Sequence, residues 1–388
     1  MRTRSDSKGR PLSKPFIPVC EPALLGNELA YAREAISTGW ISSAGKYVTA
    51  FEEAFAGYCG VRHGISACNG TVALHLALTA IGVGKGDEVV VPGFTMIASA
   101  FAVCYCGATP VFVDAESDTW NIDPGKIEEK ITARTKAIMP VHIYGHPCDM
   151  DPIREIASRH GLAVVEDAAE AHGAEYQGKK AGSFGKVAAF SFFANKIATA
   201  GEGGMVVTDD DALAEKCRYY RNLCFPLKGD RNYLHEDIGF NYRMSNVIAA
   251  IGLAQVEKIP EYVEMRRRNN ALYRKHLEGI PGISLQPEKD GAKNVYWMNG
   301  IVVDRRVFGL SRDELMRKLK EKGIDSRKFF VGMHRQPALR EYGCDCAGSY
   351  PVSDRLAEDG MYLPSGSNLD EERIVRICTA IGNAGSGR

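Results

Sequence analysis

Short apolar runs alternate with helical patterns along most of the first half of the chain. Runs of strand length occur at 65–68, 88–91, 110–113, 137–142, 163–166 and 187–193. Between them, the apolar positions have helical spacing at 46–58, 72–81, 97–106, 124–131 and 151–160. Repeated strand and helix units of this length predict an α/β fold with a doubly wound, mostly parallel sheet that helices cover on both faces.

The second half of the chain begins with helical spacing and then adds a smaller unit. Helical patterns occur at 211–221, 246–257, 260–278, 311–322 and 369–382, with a strand near 299–304. A chain of 388 residues exceeds the usual size of a single hydrophobic core, which favours two domains. We expect a loose tail at 1–15, a large domain at 16–258 and a small C-terminal domain at 259–388.

The composition is that of an ordinary globular protein, with 45% hydrophobic residues, 25% charged residues and a net charge of +0. A neutral chain has no overall attraction to nucleic acids or anionic membranes, so we expect neither as a partner. The eleven cysteines include no C-x-x-C pair, and their two C-x-C pairs are poor zinc ligands. This pattern predicts reduced thiols, no metal and a cytosolic location. The basic, polar N-terminus is typical neither of a signal peptide nor of a membrane anchor.

The stretch 187–207 places Lys196 in a tight turn behind an apolar strand. A lysine is costly to desolvate, so in such a place it tends to become the free amine that attacks carbonyl groups. The alternative is an exposed lysine in a surface loop, which is the more common case for a lysine taken alone. Ser191, the GEGG sequence at 201–204 and the acidic cluster at 166–173 favour the reactive amine.

Asn69, Gly70 and Thr71 separate a short strand from an apolar helix. This arrangement directs the first helical N–H groups and the positive end of the helix dipole at one spot, which suits an anion. The alternative is a simple N-cap of the helix. Residues 69–71, 94–96, 191–196 and Asp167 all lie at or just past the ends of predicted strands, so we expect them to converge on one edge of the sheet.

These groups match the needs of a pyridoxal phosphate site: a lysine for the aldehyde, an acid for the pyridine nitrogen and donors for the phosphate. Asp167 is the candidate acid, with a structural carboxylate or a helix cap as its alternative. Gly70, Thr71 and Ser191 are the candidate phosphate binders. Glu170 could face the phenolic oxygen of the cofactor, although a carboxylate there repels that oxygen unless it is protonated or bridged.

Five blocks of the sequence together resemble the family of sugar aminotransferases that act on nucleotide-linked keto sugars. The blocks are NGTVALHLA at 69–77, VPGFT at 91–95, EDAAEAHG at 166–173, SFFANK at 191–196 with GEGG after it, and GFNYRMSN at 239–246. The resemblance covers the chain from about Phe16 to its end. It implies an aspartate-aminotransferase-like fold (fold type I) and a homodimer whose active sites lie at the interface between subunits.

Carried over residue by residue, the resemblance makes Lys196 the lysine that bonds the cofactor aldehyde and moves protons. It makes Asp167 the partner of the pyridine nitrogen, and it lets Asn241 reach the phosphate of the neighbouring subunit. Further residues would approach the sugar or the nucleotide; these are Trp40 and Ser42 in the loop 39–45, the pair Tyr296 and Trp297, and His334. A plain packing role is about as common for a tryptophan such as Trp40.

Two positions depart from the family's usual pattern. Met96 stands where many members have an aromatic residue stacked on the pyridine ring, and Glu170 stands where many have glutamine. The blocks SFFANK and VYWMNG (295–300), together with Glu170, most resemble members that aminate a GDP-linked 4-keto-6-deoxymannose. Other members carry histidine in place of the lysine and dehydrate their substrate, and Lys196 argues against that reaction.

The expected reaction is a transamination in two steps, from L-glutamate to the cofactor and from the cofactor to C4 of the sugar. Within this class, the alternatives are another UDP- or dTDP-linked keto sugar or a keto-cyclitol. Outside it, they are a protein that keeps the fold without catalysis and a nicotinamide-dependent dehydrogenase. The chain has no dinucleotide fingerprint in the right place, which disfavours the dehydrogenase.

Overall fold

The computed structural model describes residues 15–229 and 233–385. The helices are α1 Glu28–Ser37, α2 Lys46–Cys59, α3 Gly70–Ala80, α4 Ala98–Tyr105, α5 Met150–His160, α6 Asp211–Arg221, α7 Asn246–Val256, α8 Ile259–Leu277, α9 Arg305–Phe308, α10 Arg312–Glu321, α11 Pro337–Tyr342, α12 Pro351–Asp359 and α13 Glu371–Gly385. The strands are β1 His63–Ala67, β2 Glu88–Pro92, β3 Thr109–Val113, β4 Thr135–Ile138, β5 Ala163–Asp167, β6 Glu175–Tyr176, β7 Lys179–Lys180, β8 Val187–Ser191, β9 Gly204–Thr208, β10 Ile283–Leu285, β11 Ala292–Lys293, β12 Asn299–Val303, β13 Arg327–Lys328 and β14 Gly360–Leu363.

The main sheet has seven strands in the order β1-β9-β8-β5-β4-β2-β3. The four contacts from β8 to β3 are parallel, whereas β9 runs antiparallel to both of its neighbours. Strands β2, β8 and β9 are buried over their whole length, so apolar residues are needed on both faces and the strands form continuous apolar runs. The prediction of a mostly parallel sheet in an α/β fold is confirmed.

Helices cover both faces of this sheet. In β8, Val187 and Ala189 point to the face that carries α3, α4 and α6, because successive residues of a strand face opposite sides. Phe190 points to the other face, where it packs edge-on against Phe55 of α2 with the ring centres 4.8 Å apart. Two of the candidate residues lie at the carboxyl ends of parallel strands: Asp167 ends β5, and Ser191 ends β8.

A second, antiparallel sheet has the order β10-β12-β14-β13 and packs against α8, α10 and α13. Ile17 joins this apolar cluster and pairs with Ile324, so the N-terminal described segment contacts the smaller unit. The C-terminal part is therefore α+β, as expected. The boundary at 258, which lies next to the start of α8, stays a prediction, and most of the predicted tail lies outside the described residues.

Two predicted elements differ from the structure. The segment 124–131 is two short 3₁₀ turns, Pro124–Lys126 and Glu128–Lys130, instead of a helix. Asp123 accepts a hydrogen bond from the Gly125 N–H, which favours a tight turn over a longer helix. The predicted strand 137–142 ends at Ile138 because Pro140 has no N–H for a regular ladder.

Within residues 15–229 and 233–385, no helix combines the length and the apolar character needed to cross a membrane. The same part of the chain holds no group of three or more potential metal-ligating side chains. The cysteines are free, and five of them are only partly buried.

Candidate active site

The turn between β8 and β9 holds Lys196 at the carboxyl edge of the main sheet. Two hydrogen bonds fix the backbone of the turn. The Lys196 N–H donates to the Phe193 carbonyl (2.9 Å), and the Phe192 N–H donates to the Gly203 carbonyl (2.8 Å). The turn also requires glycine at 204, since a Cβ there would lie 2.2 Å from the Asn69 carbonyl oxygen. The glycine-rich sequence after the lysine therefore lets the turn lie directly against the start of α3.

The Lys196 amine lies in a polar and aromatic corner, with the side chain only 11% exposed. Its Nζ is 3.9 Å from Glu170 Oε1 and 3.7 Å from the centre of the Trp297 ring. Burial lowers the pKa of Lys196, and the positive charge of Arg266 lowers it further, whereas Glu170 and Asp167 act in the opposite direction. The lowered pKa increases the share of the neutral amine, the form that attacks a carbonyl carbon.

Asp167 ends β5 with its carboxylate almost fully buried. Its Oδ2 accepts a hydrogen bond from the Ser99 hydroxyl (2.7 Å), and its Oδ1 accepts one from the Ala169 N–H (3.2 Å). Burial raises the pKa of Asp167, although these hydrogen bonds and the charge of Lys196 partly oppose the rise. A carboxylate that is held by two donors and poorly solvated is well placed to pair with a cation.

Glu170 lies one turn further along the chain and is also buried. Its Oε2 accepts a hydrogen bond from the Tyr144 N–H at 2.7 Å. Tyr144 adopts a φ of 56°, an uncommon conformation for a non-glycine residue that aims its N–H at this carboxylate. Burial raises the pKa of Glu170, and the charge of Lys196 lowers it. The carboxyl group can therefore gain or lose a proton as its neighbours change charge.

Gly70 and Ser191 form the corner proposed for the phosphate. Asn69 caps α3 by accepting a hydrogen bond from the Val72 N–H (3.0 Å), which leaves the N–H groups of Gly70 and Thr71 at the tip of the helix. A Cβ added at Gly70 would lie 2.7 Å from the Ser191 Cβ, so the helix tip and the strand end are in close contact. The predicted convergence of these segments on one edge is thus seen in the structure, and their role toward phosphate stays a prediction.

The other predicted residues are spread more widely. Met96 lies between β2 and α4 and is 46% exposed, with its sulfur accepting the Ala98 N–H at 3.0 Å. Trp40 is 58% exposed, and its carbonyl oxygen accepts a hydrogen bond from the Asn246 side chain. The Ser42 carbonyl accepts one from the Asn246 backbone N–H (2.6 Å). Asn241 is exposed, and no described hydrogen bond joins Asn241, Trp40 or Ser42 to Lys196.

Tyr296 and Trp297 are adjacent in sequence and face different surroundings. The Trp297 ring lies against the Lys196 amine, and its Nε1 donates to the Asn195 carbonyl (2.8 Å). Tyr296 instead points its ring toward Arg267 and its hydroxyl toward Glu288. Of the residues predicted to approach the substrate, Trp297 is the one that the structure places directly beside the lysine.

His334 is buried in the loop before α11. Its ring stacks on Tyr350 with centres 4.4 Å apart, and its Nε2 lies 3.0 Å from Asp354 Oδ1. The His334 ring therefore packs against the start of α12. Its contact with a sugar or nucleotide stays a prediction.

Three residues of the site were missed by reasoning from the sequence alone. They are Ser99, which holds Asp167; Tyr144, which binds Glu170 through its backbone; and Arg266, whose charge acts on Lys196. Arg266 had a usable signal, because it lies four residues after Tyr262 and seven before Tyr273, on the buried stripe of α8. The contact of Tyr144 with Glu170 is made by a backbone N–H, so the amino-acid type at position 144 does not indicate it.

Comparison with known proteins gives the family. The family model described as the DegT/DnrJ/EryC1/StrS aminotransferase family matches residues 23–382. The chain belongs to this family. It is a pyridoxal-phosphate-dependent sugar aminotransferase, which makes the dehydrogenase alternative wrong.

Relatives of known name are similar over nearly the whole chain. GDP-perosamine synthase of Caulobacter vibrioides is 48% identical over 370 residues, which cover 95% of this chain and 98% of the relative. GDP-perosamine synthase of Escherichia coli O157:H7 is 43% identical over 366 residues, which cover 94% and 98%. Among solved structures, DesV of S. venezuelae aligns with a TM-score of 0.90 and 36% identity, covering 97% of this chain and all of the other.

The residues of this aminotransferase fit pyridoxal phosphate. A poorly solvated amine, a buried carboxylate held by two donors, and a helix tip pressed against a serine lie along one edge of the sheet. When bound, the cofactor supplies an electron sink for the negative charge that develops at a carbon losing its proton. In such a site Lys196 would bond the cofactor aldehyde and Asp167 would hold a proton on the ring nitrogen, and both roles stay predictions.

Replacing Glu170 with glutamine tests the most unusual carboxylate of the site. The negative charge of Glu170 raises the pKa of Lys196, so its removal should lower that pKa by roughly one unit. The measurement is the pH dependence of the reaction between Lys196 and an amine-reactive ester in cofactor-free protein, followed by mass spectrometry of the lysine peptide.

Glu175→Gln is the matched control, because this carboxylate pairs with Lys293 at 3.7 Å, away from the lysine turn. It should leave the titration of Lys196 in place. An E170Q titration that coincides with the wild-type curve would show that Glu170 is already neutral over the range studied.

Proposed function

We propose that the enzyme transfers an amino group from L-glutamate to C4 of GDP-4-keto-6-deoxy-D-mannose, giving GDP-perosamine. The observation that carries the chemistry is the desolvated Lys196 amine between Glu170 and the Trp297 ring, with Asp167 on the same edge. The choice of the GDP sugar is supported by the 48% identity to a GDP-perosamine synthase over 95% of the chain.

The protein groups have distinct tasks in this reaction. Lys196 would hold the cofactor through its aldehyde, and the Lys196 amine, once released, would be the group that moves the proton in both halves of the reaction. Asp167, held by Ser99, keeps the ring nitrogen protonated. Ser191 and the tip of α3 hold the phosphate through hydroxyl and backbone donors. The Trp297 ring shields the lysine from water on one side.

The test is the visible absorbance of the purified enzyme through one complete cycle. L-Glutamate should shift the band of the lysine-bound cofactor to that of the aminated form, and GDP-4-keto-6-deoxymannose should restore it. A dTDP-linked keto sugar serves as the matched control and should restore the band far more slowly. If the band responds to glutamate but the GDP sugar does not restore it, the substrate is a keto sugar linked to another nucleotide. The absence of any visible band would overturn the cofactor chemistry.

We propose in addition that two copies of the chain share their active sites. In one chain, no described hydrogen bond connects the exposed Asn241 with the lysine turn, although the resemblance to the family gives Asn241 a role at the phosphate. Tyr233 is 83% exposed and Ile238 is 89% exposed in the segment that leads to Asn241. Large apolar side chains so exposed beside a candidate site favour a surface that a second copy covers.

Mixing two inactive variants tests this arrangement. If Asn241 completes the partner's site, a refolded equal mixture of Lys196→Ala and Asn241→Ala should regain about a quarter of wild-type activity, because half of the dimers then hold one intact site. Each variant refolded alone is the control. A mixture as inactive as its components would place Asn241 in the site of its own chain, and a monomer in solution would exclude sharing altogether.

A further inference from the structure

Arg266 of α8 is a buried cation whose contacts the proposed reaction does not use. It is only 2% exposed, and among the described residues no carboxylate pairs with its guanidinium. Its Nε donates to the Ser367 hydroxyl (3.1 Å), and its Nη1 donates to the Trp297 carbonyl (2.5 Å). An uncompensated charge in a protein interior is costly, so neutral partners alone give a poor structural reason for an arginine here.

The contacts of Arg266 lead to the lysine turn along two routes. Through the Trp297 carbonyl, the guanidinium fixes the residue whose indole ring lies 3.7 Å from the Lys196 amine. Through its Nη2, it contacts the Cys20 sulfur at 3.8 Å, and that thiol donates to the Asn195 carbonyl at 3.6 Å. Trp297 Nε1 donates to the same Asn195 carbonyl, so both routes end at the residue before the lysine.

Resting on the proposed function, we propose that Arg266 is a positioning residue of the reaction, which fixes Trp297 over Lys196 and places a permanent positive charge next to the lysine turn. A positive charge near a second cation raises the free energy of the doubly charged state, and low solvation strengthens this effect. Glu170 and Asp167 raise the pKa of Lys196, and the charge of Arg266 offsets part of that rise.

The charged and titratable groups that face Lys196 come from three parts of the chain. Asp167 ends β5, and Glu170 and His172 lie in the segment that follows it. Arg266 lies in α8, and Trp297 adds an uncharged ring from the segment before β12. Burial, Lys196 and Arg266 together lower the pKa of His172 to about 3, so this ring stays neutral. Arg266 is thus the permanent cation that opposes Asp167 and Glu170.

Two substitutions separate the charge of Arg266 from its hydrogen bonds. Arg266→Gln keeps a donor near Trp297 but loses the charge, and Arg266→Lys keeps the charge but loses the fork of donors. R266Q should raise the pKa of Lys196 by roughly one unit, measured by ester labelling of cofactor-free protein across pH. R266K should leave that pKa near the wild-type value and reduce kcat several-fold with little change in KM, because the ring over the lysine is held less firmly.

Arg268→Met is the matched control on the same helix, since Arg268 binds the Leu369 carbonyl and its own neighbour Asn269. It should change neither the titration nor kcat. A folded R266Q protein with the wild-type titration would overturn the proposal. If R266Q does not fold, R266K provides the test. A rise of a full unit in the pKa of Lys196 in R266K, which retains the positive charge, would also overturn the proposal. These outcomes concern the amine without cofactor, so they are distinct from a failure of the proposed substrate.

Discussion

Replacing Lys196 with alanine should lower turnover by at least about 1,000-fold, since the variant loses both the group that bonds the cofactor and the group that moves the proton. The second loss cannot be replaced by a neighbour: the carboxylates of Asp167 and Glu170 are held by donors, and Trp297 has no basic atom at the ring face. The measurement is kcat with the amino donor and the keto sugar, together with the visible spectrum after exhaustive dialysis. Dialysed K196A should show no band, because its cofactor is held without a covalent bond.

Two further variants make this result specific. Lys196→Arg keeps a long nitrogen-bearing side chain beside Glu170 but cannot form the same bond, and it should be as inactive as K196A. Lys186→Ala removes an exposed lysine just before β8 and should retain wild-type kcat. Both inactive variants should remain folded, because the burial of Lys196 is costly in the free protein. Turnover of K196A above a few per cent of wild type would overturn the assignment of the lysine.

The elements that sequence patterns predicted well are those in which burial and periodicity agree. The helix predicted at 211–221 is observed at Asp211–Arg221, where Leu213, Ala214 and Cys217 form a buried stripe and Asp210 caps the first turn. The strand before the lysine was predicted from a run of apolar residues, and each residue from Val187 to Ser191 is buried. Such elements depend on their own residues more than on distant partners.

Local turn chemistry explains the differences at 124–131 and 137–142, whereas distant contacts explain the features that the sequence did not indicate at all. Tyr144 has the residue type of a strand or helix, yet its φ of 56° aims its N–H at Glu170, a contact across 26 residues. The antiparallel course of β9 could not be told from its apolar run, because a strand buried on both faces has the same pattern in either direction. Asn241 depends on a second chain in our proposal, so a single sequence gives only its resemblance to the family.

The chemistry of the site was more accessible from sequence than its geometry. Lysine, aspartate and serine at or just past the ends of successive predicted strands are expected to meet at one edge of a parallel sheet, which favoured Lys196, Asp167 and Ser191 as residues of one site. What the sequence could not predict was the support of these groups. The helical spacing of α8 indicates that Arg266 is buried, but its hydrogen bond to Trp297 and the one from Ser99 to Asp167 are visible only in the folded chain.

Replacing Asp167 with asparagine should reduce kcat by about 100-fold or more, because a neutral amide no longer stabilises the proton on the ring nitrogen when charge develops on the cofactor. The change keeps the shape of the side chain, and the amide oxygen can still accept one of the hydrogen bonds from Ser99 and Ala169. Ser99→Ala is the matched control: it removes one donor but leaves the charge, so kcat should fall only several-fold. D167N activity close to that of S99A would contradict the pairing of Asp167 with the ring nitrogen.

Although D167N should lose turnover, the cofactor-free D167N protein should be at least as stable as the cofactor-free wild type. Burial raises the pKa of Asp167 above its unfolded value, so the folded chain binds this proton more tightly than the unfolded chain. Its contribution to the free energy of unfolding therefore decreases as the pH rises from the unfolded pKa through the folded one. Asparagine has no charge to desolvate, so cofactor-free D167N should melt at or above the wild-type temperature at pH 8, with the difference shrinking toward pH 4. A variant that loses turnover while its fold holds or gains stability identifies Asp167 as a group kept for its charge on the cofactor, whereas a large drop in melting temperature at pH 8 would assign it a structural role.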